Sequence, residues 1–158
     1  MEYRRVFVPG GCYFFTVVTN KRQPIFAHID AIDLLKNAFQ WTKKRYPFTI
    51  EALVILPDHL HSIWTLPIND SNFPIRWNLI KGYFSKNWSP KADNPTLDML
   101  NQRREKEIWQ HRYWEHFISD EKDFYVHMEY VHNNPVKHGL VRDPLEWKFS
   151  TIHRYHRK

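Results

Sequence analysis

Apolar residues along this chain fall into short runs rich in β-branched and aromatic side chains, separated by longer stretches with helical spacing. Residues 13–19 (Tyr-Phe-Phe-Thr-Val-Val-Thr) follow the turn-forming Pro9-Gly10-Gly11 and predict a strand. Across residues 30–46, Ile32, Leu35, Ala38, Phe39 and Thr42 recur every three or four positions, and Pro47 ends the predicted helix. Residues 48–56 predict a second strand, Pro57-Asp58 a turn, and residues 59–66 a third strand antiparallel to the second. A second helix is predicted over residues 74–88, with Ile75, Leu79, Ile80 and Phe84 on one face and Arg76, Lys81 and Lys86 exposed. Residues 89–102 are polar, contain Pro90 and Pro95, and predict a long mobile loop. Residues 108–118 predict a fourth strand. A last helix is expected to be capped by Ser119, with Asp120 and Glu121 in its first turn, and to run to Asn134, because Pro135 cannot extend it. The remainder, residues 141–158, is a basic, aromatic tail.

The order β-α-β-β-α-β-α predicts an α+β chain with a ferredoxin-like split β-α-β fold. It implies an antiparallel sheet of four to five strands, helices on one face, and a C-terminal helix. Neither repeat nor linker divides the chain, so one domain over residues 1–158 is expected.

Charge adds a partner class. Lys and Arg outnumber Asp and Glu by 23 to 17, a balance that suits a polyanion. Aromatic residues make up 16% of the chain, with seven Trp, enough to line a surface for stacking on unpaired bases as well as to fill a core. Cys12 is the only cysteine, which excludes a disulfide framework and a thiolate metal cage. The first residues lack a signal peptide's apolar stretch, and no apolar run approaches the ~20 residues of a membrane helix. A cytoplasmic protein is expected.

Candidate chemistry lies in His59-Leu60-His61. On a strand the side-chain period is two, so both imidazoles share a face and form half of a metal site. Two polar residues on a wetted face fit the same pattern. Farther on, Tyr130 and Asn134 are one helical turn apart and also share a face. The amide oxygen is a third potential ligand and the phenol can reach a phosphate; a buried Tyr with a C-terminal Asn cap is the alternative. Tyr125 and His132 fall on other faces, and His127 reads either as a proton acceptor or as a surface residue.

Five segments together resemble the single-tyrosine HUH transposases, and within them the REP-associated tyrosine transposases linked to repetitive extragenic palindromes. They are Arg4-Arg5 before Gly10-Gly11-Cys12-Tyr13-Phe14-Phe15-Thr16; Leu56-Pro57-Asp58-His59-Leu60-His61; Arg76-Trp77 with Ile80-Lys81; Trp109-Gln110-His111-Arg112-Tyr113-Trp114-Glu115-His116; and Tyr130-Val131-His132-Asn133-Asn134-Pro135-Val136-Lys137-His138-Gly139-Leu140-Val141. The resemblance implies that His59 and His61 bind Mg2+ or Mn2+, with Asn134 as third ligand where many mobile relatives carry Gln. It implies that Tyr130 is the nucleophile and forms a 5′-phosphotyrosine with single-stranded DNA bearing palindromic, REP-type hairpins. A nucleoid-associated enzyme that nicks and rejoins DNA follows, with Arg4, Arg5, Arg76, Lys81, Arg103 and Arg104 as candidate phosphate contacts. The alternatives are a hairpin-binding protein with a vestigial site, a phosphodiesterase without a covalent intermediate, and a mobile insertion-sequence transposase acting as a dimer. The short connection at residues 118–120 favours a monomer with its site assembled in one chain over a homodimer.

Overall fold

The computed structural model describes residues 5–88 and 107–156. Its elements are β1 (Cys12–Val18), α1 (Ile29–Arg45), β2 (Thr49–Ile55), β3 (His59–Thr65), α2 (Phe73–Asn87), β4 (Trp114–Phe117), α3 (Glu121–Lys137) and a last turn of helix, α4 (Ile152–Tyr155). The sheet order is β2-β3-β1-β4, with every neighbouring pair antiparallel. This is the expected α+β, split β-α-β arrangement, with four strands.

Alternation along the central strands sorts side chains between two layers. Tyr13, Phe15 and Val17 of β1 join Leu60 and Trp64 of β3 in a core completed by Leu35 and Phe39 of α1 and Trp77, Ile80 and Phe84 of α2. Trp64 and Trp77 stack there with ring centroids 4.3 Å apart. Phe14, Ala52, Val54 and Ile63 form a second core on the opposite face, against Met128 and Val131 of α3. The sheet is therefore covered on both sides, and β3 is buried along nearly its whole length. That burial excludes a wetted face for His59 and His61.

Three sequence expectations change. The fourth strand is four residues long, not eleven. Trp109 makes only an isolated bridge to Thr19, and its indole N–H donates to the Lys81 carbonyl at 3.2 Å, so residues 109–110 touch the end of β1 before the chain turns into β4. In α3 the cap is Asp120, whose carboxylate accepts from the Asp123 N–H at 2.7 Å, while the Ser119 N–H bonds the Asp123 side chain. The helix also passes Pro135 and ends two residues later, at Lys137. Pro135 costs the hydrogen bond to the carbonyl four residues back, but the stop is made by Gly139 at φ +71°. The Leu140 N–H reaches the Pro135 carbonyl and the Gly139 N–H the Val136 carbonyl, both at 2.9 Å, which is a Schellman cap.

The basic tail, as far as residue 156, docks on the edge of β2. The Ile55 N–H donates to the Phe149 carbonyl, the Thr151 N–H to the Leu53 carbonyl, and the Trp147 indole to the Ile55 carbonyl. These bonds satisfy an edge that would otherwise be open. The expected loop at residues 89–102 lies outside the described residues.

Candidate active site

The Pro57-Asp58 turn and the β1–β3 register together orient both imidazoles. His59 Nδ1 donates to Asp58 Oδ1 at 2.6 Å. Thr16 stands opposite His61 in the β1–β3 ladder, and its Oγ1 lies 2.8 Å from His61 Nδ1. Each ring is thus held through Nδ1, leaving Nε2 for a ligand, the arrangement expected of metal-binding histidines and their supporting partners. Asp58 is itself fixed: its carbonyl accepts from the Thr19 N–H, and Arg22 approaches its carboxylate at 3.4 Å. Burial pushes the Asp58 carboxyl up, but the His59 and Arg22 hydrogen bonds outweigh it and hold the group below the usual range.

From the other side α3 brings in Asn134 and Tyr130. Asn134 is fully buried, with Oδ1 3.3 Å from His59 Nε2. Its Nδ2 has no partner among the described residues. The Tyr130 ring lies 5.2 Å from the His61 ring and 5.7 Å from Phe14, edge-on to both, and is 38% exposed. Lys137 places its ammonium 4.8 Å from the Tyr130 ring centre. Phe14 stacks on His61 at 5.5 Å, and His138 lies 5.0 Å from the His59 ring. Beside His59 opens a cavity of about 290 Å3, bounded by Arg22, Asp58, His59 and His138, with Leu56 and Leu140 as apolar walls.

Burial drives the His61 pKa down to about 3, helped by the positive charge of Lys137 and by those that His59 and His138 carry when protonated. The ring is neutral at any working pH and keeps a lone pair to donate. When His59 is neutral, its Nδ1–H goes to Asp58 and its Nε2 turns a lone pair toward Asn134 Oδ1. Two acceptors facing each other in a buried site, beside an orphaned amide N–H2, fit a cation between them. Two imidazole nitrogens and one amide oxygen form a donor set suited to a divalent ion.

Comparison with known proteins gives this constellation its context. Residues 8–134 match the family described as "Transposase IS200 like". A Haemophilus influenzae protein is 41% identical over 153 residues, covering 97% of this chain and 86% of its own. An Escherichia coli (strain K12) protein named "REP-associated tyrosine transposase" is 40% identical over 154 residues, covering 97% of this chain and 83% of its own. A solved REP-associated tyrosine transposase bound to a REP hairpin superposes with a TM-score of 0.82 at 40% identity, over 98% of this chain and 84% of that one.

The chain belongs to the REP-associated tyrosine transposases, within the IS200-like family.

A Deinococcus radiodurans crystal structure at 18% identity and a TM-score of 0.51 shares the fold alone. In this REP-associated transposase, the four residues singled out in the sequence, His59, His61, Tyr130 and Asn134, meet within one chain. Tyr125 is exposed, and His132 turns to Thr151 with Nε2 and Oγ1 2.9 Å apart. His127 is held by Asp123 and touches Phe14, the ring that also meets His61 and Tyr130.

The basic residues expected on the DNA surface divide differently. Arg76 is fully buried, donating to Asp70 and to the carbonyls of Tyr46, Pro47 and Asn72, so it cannot also bind a phosphate. Lys81 is buried too, its ammonium 3.1 Å from the Gln110 carbonyl and facing the Tyr113 ring. Both hold the fold. Arg5 pairs with Glu115 at 3.0 Å and lies over Tyr113, while part of its side chain remains exposed. Arg4, Arg103 and Arg104 lie outside the described residues. Asp58 and Thr16 escaped the sequence reading: Asp58 passed as a turn residue, and the role of Thr16 requires the strand register. Among the described residues no helix is long and apolar enough to cross a membrane.

Proposed function

We propose that this chain cleaves and rejoins single-stranded DNA carrying palindromic, REP-type hairpins, with Tyr130 as nucleophile. The supporting observation is the meeting of Tyr130, His59, His61 and Asn134 within one chain, on the fold of a relative solved with a REP hairpin. Asp58 and Thr16 hold the two histidines through Nδ1, with His59 Nε2 facing Asn134, while His61 and Phe14 fix the plane of the Tyr130 ring. His59, His61 and Asn134 would hold a Mg2+ or Mn2+ ion, which when bound would polarise the scissile phosphate and offset its developing negative charge. Lys137 adds a positive charge beside the nucleophile. The Tyr130 oxygen bonds the phosphorus as the P–O3′ bond breaks, giving a 5′-phosphotyrosine and a free 3′-hydroxyl. Because the phosphoester is conserved, the reverse attack by a 3′-hydroxyl rejoins the strand without a nucleotide cofactor. Arg22 and the cavity beside His59 offer a polar berth for the DNA flanking that phosphate.

The test uses 5′- and 3′-labelled hairpin DNA with single-stranded flanks, incubated with protein and Mg2+ or Mn2+ and run on a denaturing gel. A slow-migrating adduct, absent without metal and in Tyr130→Phe, is expected. Cleavage that persists in Tyr130→Phe would move the assignment to a phosphodiesterase; binding with no cleavage would move it to a hairpin-binding protein.

A further inference from the structure

Away from His59 and His61, a second group of ligand-type side chains joins β4 to the start of α3. His116, next to last in β4, places Nε2 2.8 Å from Asp123 Oδ2. His127, one helical turn beyond Asp123, places Nδ1 3.0 Å from Asp123 Oδ1. The two imidazole rings lie nearly parallel, with centroids 4.5 Å apart and planes at 20°. One ligand atom from each of the three residues falls within 4.8 Å of the others, and all three residues are half-buried. The Ser119 N–H holds Asp123 Oδ2 at 3.0 Å, which orients the carboxylate. The His127 Nδ1 also approaches the Asp123 carbonyl at 2.9 Å, so an ion would replace the proton now shared there.

We propose that His116, Asp123 and His127 form a second metal site, selective for a zinc-like divalent transition ion, that clips the tyrosine helix to the edge of the sheet. Two imidazoles and one carboxylate are the donor set of many zinc sites, which leave a coordination position for water. The half-exposure of the cluster allows water to fill it. Mechanically the clip matters because α3 carries Tyr130 and Asn134 one and two turns beyond His127. An ion joining β4 to the first turns of α3 holds that helix on its own sheet, independently of what happens at His59 and His61.

Co2+ is the probe, because its visible spectrum reports imidazole and carboxylate ligation. The full chain carrying His59→Ala and His61→Ala is titrated with Co2+, followed by absorption and calorimetry. One equivalent with a ligand-field spectrum is expected to remain, and to be lost when His116→Ala and His127→Ala are added. No residual equivalent in the first variant, or its survival in the second, overturns the site. A measurement on the unsubstituted chain guards against misfolded variants. The ring protons of His116 and His127 should show hyperfine shifts in the NMR spectrum with Co2+; shifts confined to other histidines overturn the proposal.

Discussion

His59 and His61 are each gripped at Nδ1, by a carboxylate for one and a threonine hydroxyl for the other. These grips fix tautomer and ring direction, so removing one should weaken metal binding without touching a ligand. Asp58→Ala is expected to lower Mn2+ affinity about 10- to 100-fold in calorimetry. An affinity within twofold of the unsubstituted chain would contradict the assigned role. At this scale the sequence was informative where chemistry is carried by spacing: His59 and His61 two apart on a strand, Tyr130 and Asn134 four apart on a helix. It was silent on Thr16, whose function exists only once β1 is paired with β3 in register.

Helix α2 shows why the two central arginine and lysine assignments changed. Its buried positions are Phe73, Arg76, Trp77, Ile80, Lys81, Phe84 and Ser85, a stripe with helical period that includes two cations. Apolar spacing alone put those cations outside, because it cannot register a charge whose partners are carbonyls of another segment. Arg76 meets such carbonyls between α1 and β2, and a carboxylate at Asp70. The hydrogen bond from Arg76 holds the Asp70 carboxyl below its usual range. A depressed carboxyl contributes stability that is present above its unfolded pKa of about 3.9 and is lost as pH falls through the folded value. Asp70→Asn should therefore destabilise the chain by about 1–3 kcal/mol at neutral pH, less than for a fully buried pair because Asp70 is partly exposed. The deficit should shrink in acid, where the unsubstituted chain loses the same contribution. Denaturant melts at neutral pH and below the carboxylate range check this; an equal deficit at both would contradict it. In α3, likewise, Pro135 looked like the end of the helix, but the positive φ of Gly139 makes the stop. A proline in the last turn removes one hydrogen bond, whereas a left-handed residue redirects the chain.

Across the whole molecule, a sheet covered on both faces puts the histidine pair against α3 rather than against solvent. The α+β order was legible because strands and helices alternate with clear periods. The short β4 and the docking of the tail on β2 were not, since both depend on hydrogen bonds between distant segments. With His59, His61, Tyr130 and Asn134 converging in one chain, cleavage should need no second copy. Mixing Tyr130→Phe with the His59→Ala, His61→Ala variant should leave both inactive on hairpin DNA, whereas recovered adduct would show a shared, dimeric site. The most direct measurement is to trap the protein–DNA adduct formed with Mn2+, digest both components, and locate the attached nucleotide by mass spectrometry. The account predicts a 5′-phosphate-linked nucleotide on the peptide containing Tyr130, at that side chain; attachment at any other residue, or cleavage with no attached nucleotide, would contradict it.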